Sequence, residues 1–260
     1  MPRFVRFRRG SSESYGVMDG DSLRALSGEL FGDHDAAGPD IAVSDVTLLA
    51  PVRPWKILAA AVNYQSHVPS GKAVLKEDDA PAIPQLFLKP ASSVIGPEDT
   101  ILLPKVAPRV DAEGELVAVI GNSCYSVSPE EALDYVFGYT CGNDVSGRHW
   151  QRDDLQWWRA KGCDTFSPIG PAIATGLDPD DLELVTRLNG AEVQSASTAE
   201  MVHSTAKLIS FASQAMTLEP GDLVFTGTPG EPPRLDDGDA VEVEIAGIGV
   251  LRNAVARVVG

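Results

Sequence analysis

The sequence is poor in the features that mark secreted, membrane or nucleic-acid-binding proteins. It has three cysteines, an odd number not spaced as in a zinc site, so we expect reduced thiols and a cytoplasmic location. No apolar run approaches the roughly 20 residues of a membrane span, and the basic N-terminus lacks the apolar stretch of a signal peptide. Lysine and arginine number 21 against 37 acidic residues. The net charge of −16 argues against nucleic acid or an anionic membrane as partner, but not against a small anionic substrate held in a local pocket.

What the chain does contain is enough apolar material, 43% of 260 residues, for a sizeable core. Short strands dominate, helices are few, and glycine and proline interrupt the pattern throughout, which predicts an α+β, β-rich enzyme-like domain. The closely spaced Pro51 and Pro54 suggest a boundary. We therefore expect a small N-terminal domain over residues 1–54 and a main domain over residues 55–260.

Two helices are predicted from their start signals. Ser128 offers an N-cap, Pro129 a first helical residue and Glu131 the acidic residue three positions after the cap, so a short helix should begin there. A longer helix should follow Thr198, because apolar residues recur at three- and four-residue spacing before a stop at Pro220.

Carboxylates cluster around two predicted strands. Asp111, Glu113 and Glu115 alternate before an apolar run, so a strand would point all three to one face. The spacing alone leaves a solvent-exposed face as an equal alternative. However, Asp144 ends another predicted strand beside Asn143, and carboxylates from two strand ends can converge on one cation. Oxygen-only ligands favour Mg²⁺, Mn²⁺ or Ca²⁺ over zinc.

Seven segments from about Lys56 to the C-terminus resemble, in order, the fumarylacetoacetate hydrolase superfamily of Mg²⁺- or Mn²⁺-dependent enzymes. They are NYQSH, LFLKPASSVIGP, DAEGELVAVIG, YTCGNDVSGRHWQ, RAKGCDTFSPIGP, LNGAEVQ with STAEMV, and GDLVFTGTPG. The resemblance implies mixed β-sheets rolled around a metal site, a small variable N-terminal domain and assembly as a homodimer.

The resemblance also implies roles for individual residues. It assigns the metal to Glu113, Glu115 and Asp144, and catalysis to His67, as an acid or base on the lid side, and Lys161, which would stabilise an enolate or oxyanion. It assigns substrate binding to Arg148, Gln151 and Thr228. Asp111 falls outside the ligand set, and we expect it either to support a ligand or to be solvated.

One departure from the family pattern bears on water activation. Hydrolytic members usually carry a glutamate three residues after this histidine, where this chain has Ser70, and Glu231 is a possible substitute. Residues 68–85, with Lys72, Lys76 and Glu77, are predicted to form a loop that closes on substrate.

The leading hypothesis is a divalent-metal-dependent hydrolase that cleaves a C–C bond in a 2-oxo acid or 1,3-dicarbonyl compound through an enolate held on the metal. The alternative, favoured by Ser70, is a decarboxylase, hydratase or isomerase of a 2-oxo or dienoic acid at the same site. A third hypothesis is a non-catalytic relative that binds metal and ligand.

Overall fold

The computed structural model describes residues 1–70 and 79–258, and most regular structure in these ranges is β-strand. The strands are β1 (Arg3–Arg9), β2 (Ser12–Asp19), β3 (Ser22–Gly28), β4 (His34–Ala36), β5 (Ile41–Ala42), β6 (Thr47–Leu49), β7 (Ile57–Ala60), β8 (Leu86–Lys89), β9 (Val94–Ile95), β10 (Thr100–Leu103), β11 (Val110–Asp111), β12 (Gly114–Ile120), β13 (Val136–Asn143), β14 (Ser146–Gly147), β15 (Ser167–Ala174), β16 (Glu183–Leu188), β17 (Ala191–Ser197), β18 (Leu223–Phe225), β19 (Arg234–Leu235), β20 (Ala240–Ile245) and β21 (Gly249–Arg257).

Within the described ranges these strands form three sheets. The largest has the order β4-β3-β2-β1-β15-β13-β12-β18-β7-β8, with β5, β6 and β9 attached at its side. A second sheet runs β10-β21-β20-β16-β17, and a small third sheet runs β14-β11-β19. Parallel and antiparallel pairs occur together, because β18 runs parallel to β7 whereas β12 and β13 are antiparallel. The predicted β-rich fold with mixed sheets is confirmed.

The described helices are short. The α-helices are α1 (Arg148–Asp153), α2 (Trp158–Gly162) and α3 (Thr205–Ser213), and the 3-10 turns are Val43–Asp45, Gln65–His67, Ala91–Ser93, Ala132–Tyr135 and Thr198–Glu200. Within the ranges given above, no helix is long and apolar enough to cross a membrane.

Both predicted helix starts carry the expected local signal, but the structure shifts or shortens the helices. The Ser128 amide donates to the Glu131 carboxylate (3.3 Å), yet only the 3-10 turn Ala132–Tyr135 forms, because β13 begins at the next residue. After Ser197, a capping box closes the single turn Thr198–Glu200, and Met201 then pairs with Tyr64 in an isolated bridge. The longer helix therefore begins at Thr205, with Ser204 as its N-cap.

Strand β12 is the centre of the core. All seven of its residues are buried. Leu116, Ala118 and Ile120 face a cluster that includes residues of α3, while Val117 and Val119 face a second cluster on the opposite side of the sheet. Burial on both faces explains why this strand is continuously apolar in sequence.

The N-terminal residues extend the largest sheet. β1 pairs antiparallel with β15, with Arg3 opposite Ala174 and Phe4 opposite Ile173. Phe4 also belongs to the core cluster that contains Val117. The hydrogen bonding of the sheet is therefore continuous from the leading segment into the strands that carry the carboxylates.

Candidate active site

The register of β12 and β13 brings the predicted metal carboxylates together. Gly114 lies opposite Asn143, so Glu113, just before β12, lies across from Asp144, just after β13. The Asp144 amide donates to the Glu113 carbonyl (2.8 Å), and the Glu113 amide donates to the Asn143 side chain (2.9 Å). The single strand predicted over Asp111–Glu115 is in fact broken after Asp111. Glu113 and Glu115 nevertheless line the same pocket.

Glu113, Glu115 and Asp144 are all buried, and each offers a carboxylate oxygen within 4.8 Å of those of the other two. Two lysines neutralise part of this charge. The Lys161 ammonium donates to Glu113 Oε2 (2.6 Å) and Asp144 Oδ2 (2.5 Å), and the fully buried Lys89 donates to Asp144 Oδ1 and to the Phe166 carbonyl. Lys89 was not singled out from the sequence, although a lysine at the end of an apolar strand is a signal that could have found it.

Glu115 has no side-chain cation within hydrogen-bond distance among the residues described; its contact is the Gly227 amide (2.7 Å). Burial, together with Asp144 and Glu113, raises the pKa of Glu115 well above its ordinary value. At Glu113 burial acts in the same direction, but Arg148 and Lys161 outweigh it and hold the pKa well below its usual range. A divalent cation among the three carboxylates would supply the positive charge that Glu115 lacks, and the oxygen-only donor set suits Mg²⁺ or Mn²⁺.

Asp111 is buried, so the alternative that it is solvated is wrong. It accepts hydrogen bonds from Arg109 Nε and Arg148 Nε, both at 2.8 Å. Arg148 also donates to Glu113 (2.7 Å) and to Gln151 Oε1 (2.8 Å). Burial disfavours the charge on Arg148, but Glu113 and Asp111 outweigh it and raise its pKa. Asp111 therefore holds the arginine that fixes Glu113. Because Gln151 Oε1 accepts from the same arginine, the Gln151 NH₂ is the group available to a ligand, and it has no acceptor among the residues that the structure describes.

The pocket above the carboxylates is lined by most of the site residues predicted from the sequence. Its lining includes His67, Glu113, Glu115, Arg148, Gln151, Lys161 and Thr228. Phe87 and Trp157, also in the lining, make an edge-to-face contact with ring centroids 5.1 Å apart, and they form an apolar wall. Seven of the eight candidate residues thus face one cavity, and the eighth, Asp144, joins it through the carboxylate cluster.

His67 lines this pocket and is held by a backbone carbonyl. Its Nδ1 lies 2.7 Å from the Gly230 carbonyl, which can only accept, so Nδ1 carries the proton. Burial lowers the pKa of His67, although Glu113 opposes the shift. The unprotonated Nε2 lies 3.9 Å from Glu113 Oε1, on the side of the carboxylates.

Thr228 is held by a residue that sequence reasoning missed. Gln194 Nε2 donates to Thr228 Oγ1 (2.9 Å) and to the Pro229 carbonyl (2.5 Å). Ser70 lines the pocket, and it also lines an adjoining cavity with Glu231 and Arg109. Of the predicted closing loop, Lys72, Lys76 and Glu77 lie outside the described residues.

Comparisons with known proteins identify the family of this chain. The family model "Fumarylacetoacetate (FAA) hydrolase C-terminal" matches residues 56–256, and the model "Rv2993c-like, N-terminal" matches residues 3–51. The chain therefore belongs to the fumarylacetoacetate hydrolase family, as the sequence motifs predicted.

Relatives of this chain carry out more than one reaction. It is 40% identical to oxaloacetate tautomerase Fahd2a of Rattus norvegicus, over 89% of this chain and 74% of that one. Among solved structures, 2-hydroxyhepta-2,4-diene-1,7-dioate isomerase from Mycobacterium marinum matches with a TM-score of 0.91 and 40% identity, covering 99% of each chain. Maleylpyruvate hydrolase from Sphingobium sp. SYK-6, in complex with manganese(II) and pyruvate, matches with a TM-score of 0.80 and 32% identity over 98% of this chain and 99% of that one. Enzymes of this family include isomerases, tautomerases and hydrolases.

Proposed function

We propose that this protein is a divalent-metal-dependent isomerase that interconverts the keto and enol forms of a small 2-oxo dicarboxylic acid such as oxaloacetate. The observation that carries the proposal is the hydrogen bond from His67 Nδ1 to the Gly230 carbonyl. His67 is held by a carbonyl, and Ser70 stands at the position three residues on where hydrolytic relatives carry a glutamate, so this histidine is a single base of modest strength. One such base suffices to move a proton between carbon and oxygen, whereas hydrolysis also demands activation of water.

The residues of the pocket support each part of that reaction. His67 Nε2 would take the proton from the carbon next to the 2-oxo group and deliver it to the oxygen of that group, which gives the enol; the same transfers in reverse restore the keto form. Lys161, with two of its protons donated to Glu113 and Asp144, would donate the third toward the developing oxyanion. When bound, a cation at the three carboxylates would polarise the 2-oxo group and lower the energy of the enolate charge.

The charge balance supports a dianionic substrate. Four carboxylates and four side-chain cations surround the pocket, and every cation contacts one of the carboxylates. They are Asp111, Glu113, Glu115, Asp144, Lys89, Arg109, Arg148 and Lys161. When all eight side chains are ionised, their net charge is zero. A bound divalent cation therefore gives the site a net charge of about +2, which an anionic substrate can neutralise. A dicarboxylate matches that charge, and the relatives named for oxaloacetate and for a 1,7-dioate are consistent with that class.

A second candidate is hydrolysis of a C–C bond in an acylpyruvate. The structural match to maleylpyruvate hydrolase favours it, since the same carboxylates and lysine would serve an enolate formed by C–C cleavage. In that case His67 or Glu231 would have to activate water.

The test follows the disappearance of enol oxaloacetate by its absorbance and compares the rate with the uncatalysed rate. The protein is first treated with chelator, and Mg²⁺ or Mn²⁺ is then added back. We expect metal-dependent tautomerisation that falls about 10²–10⁴-fold in His67→Gln. The exposed His149, next to Arg148, provides the matched control His149→Gln, which should keep full activity. Acetylpyruvate and CO₂ release are measured in parallel.

Each outcome of this test decides between the candidates. Loss of diketone absorbance with oxaloacetate unchanged would replace tautomerisation by hydrolysis. Release of CO₂ without enol–keto exchange would replace it by decarboxylation. No turnover of any substrate by metal-loaded protein would favour a binding protein.

A further inference from the structure

We propose that Gln194 is a positioning residue, which directs the hydroxyl proton of Thr228 into the pocket as a donor for a substrate carboxylate. The proposal rests on the proposed function, because it assumes an anionic substrate above the metal carboxylates. It adds a residue more than 30 positions from the metal ligands in sequence, in a different sheet.

Gln194 points inward from a strand that is otherwise mostly exposed. In β17, Ala191, Glu192, Val193 and Ser195 are exposed, whereas Gln194 is only 5% exposed. The pairing with β16 explains this. Thr186 lies opposite Gln194, but the next residue, Arg187, lies opposite Glu192, so Val193 is the extra residue of a β-bulge. Bulges re-aim side chains and are over-represented next to active sites.

The orientation of the Gln194 amide follows from its neighbours. The Pro229 carbonyl, 2.5 Å away, can only accept a hydrogen bond, so the nitrogen of the amide must face it. The same nitrogen lies 2.9 Å from Thr228 Oγ1 and donates its second proton there. The oxygen of the amide then faces the Gly114 N–H at 3.5 Å, which is the pairing that a correct orientation requires.

The orientation of Gln194 determines what Thr228 can do. Because Thr228 Oγ1 accepts from Gln194, its own proton has to be donated elsewhere. Thr228 is 3% exposed, lines the pocket beside Glu115 and Lys161, and has no acceptor for that proton among the described residues. The hydroxyl therefore presents a donor to the cavity. The contact of Gln194 with Gly114 ties this donor to the start of β12, between Glu113 and Glu115.

The experiment measures binding of oxalate to the Mn²⁺-loaded protein by calorimetry, together with KM and kcat for oxaloacetate. Gln194→Met keeps the length of the side chain but can neither donate nor accept. We expect oxalate affinity to fall about 10- to 100-fold, as for a lost hydrogen bond to a charged acceptor. KM should rise by a similar factor with kcat nearly unchanged. Thr228→Val should do the same, and the double variant should be no worse than either single variant.

Gln194→Glu separates positioning from simple packing. A carboxylate cannot donate, so Thr228 would turn its proton toward residue 194 and away from the ligand. We expect weaker oxalate binding than in Gln194→Met, although the shape of the side chain is retained. This variant also decides the question should the methionine variant fail to fold.

The matched control is Gln214→Met, the same substitution at a different glutamine. Gln214 is the C-cap residue of α3, and its side-chain amide donates a hydrogen bond to the Val127 carbonyl. Gln214→Met should leave oxalate affinity and KM unchanged. The proposal would be overturned if Gln194→Met bound oxalate as tightly as the unmodified protein does. It would also be overturned if the losses of affinity in Gln194→Met and Thr228→Val multiplied in the double variant. Oxalate binding can be measured without turnover. If the variants lose oxalate affinity as predicted but the protein has no tautomerase activity, only the proposed function is refuted.

Discussion

Replacement of Lys89 by methionine removes a fully buried cation and leaves its partners in place. Lys89 has no exposed side-chain surface and donates to the Asp144 carboxylate and, at 3.0 Å, to the Phe166 carbonyl. Methionine fills a similar volume but donates nothing, so Asp144 keeps Lys161 alone and the carbonyl loses its donor. Breaking one side of a buried ion pair costs about 3–5 kcal/mol.

That cost converts to a measurable change in thermal stability. For a chain of this size, each kcal/mol shifts the unfolding midpoint by about 2–4 °C, so Lys89→Met should lower the midpoint by about 6–20 °C. The assay is thermal unfolding in the presence of chelator at one fixed scan rate, followed by circular dichroism.

Lys56→Met is the control for the Lys89 variant. Lys56 pairs with the buried Asp222, but its own side chain is 25% exposed, and Asp222 keeps two backbone donors, the amides of Lys56 (3.0 Å) and Glu219 (2.7 Å). The expected loss is therefore about 1 kcal/mol or less. If Lys89→Met lowers the midpoint no more than Lys56→Met does, the reasoning from burial is refuted.

Two further predictions concern Gly114 and Glu115, at the start of β12. A Cβ on Gly114 would lie 2.1 Å from Thr186 Oγ1, so Gly114→Ala should lose about 1–3 kcal/mol of stability and bind Mn²⁺ less tightly. At Gly32 the nearest atom to an added Cβ would be 3.4 Å away, so Gly32→Ala is the control and should change neither property. Thermal unfolding measures the stability, and titration measures the Mn²⁺ affinity. Partial recovery in Gly114→Ala combined with Thr186→Ala would support the clash, and equal losses at both glycines would contradict it. Glu115→Gln removes one of three carboxylates that repel each other, so we expect higher stability in chelator but at least about tenfold weaker Mn²⁺ binding and loss of activity. Glu242→Gln, on the half-buried face of β20, should change neither, and unchanged Mn²⁺ affinity in Glu115→Gln would disprove the metal assignment.

The sequence predicted the fold where the pattern is local. The strands at Ile57–Ala60 and Val136–Asn143, the β-rich class and the family were all readable, because apolar runs and motif order need no knowledge of distant contacts. The carboxylates of the candidate metal site were also found, since Glu113 and Glu115 stand close together in sequence. Their convergence with Asp144 depends on the pairing of two strands, and the spacing alone left a solvent-exposed face open.

The residues that were missed are polar side chains whose partners are far away in sequence. Lys89 and Asp144 are 55 residues apart, and Gln194 and Thr228 are 34 apart. The lysine at the end of an apolar strand is a signal, but it does not identify Asp144 as the partner. A glutamine in a polar strand looks ordinary until the sheet places a carbonyl beside it. The bulge at Val193, which lies beside Gln194 in β17, has no sequence signal.

The pairing of β1 with β15 has a consequence for how such chains can evolve. Two different family models match residues 3–51 and 56–256. Arg3 and Phe4 nevertheless share a hydrogen-bonded ladder with Ala174 and Ile173. Without the first segment, the second would present an open edge of β15, and open edges recruit other chains. A leading segment can therefore be exchanged between relatives only if its first strand fits that edge.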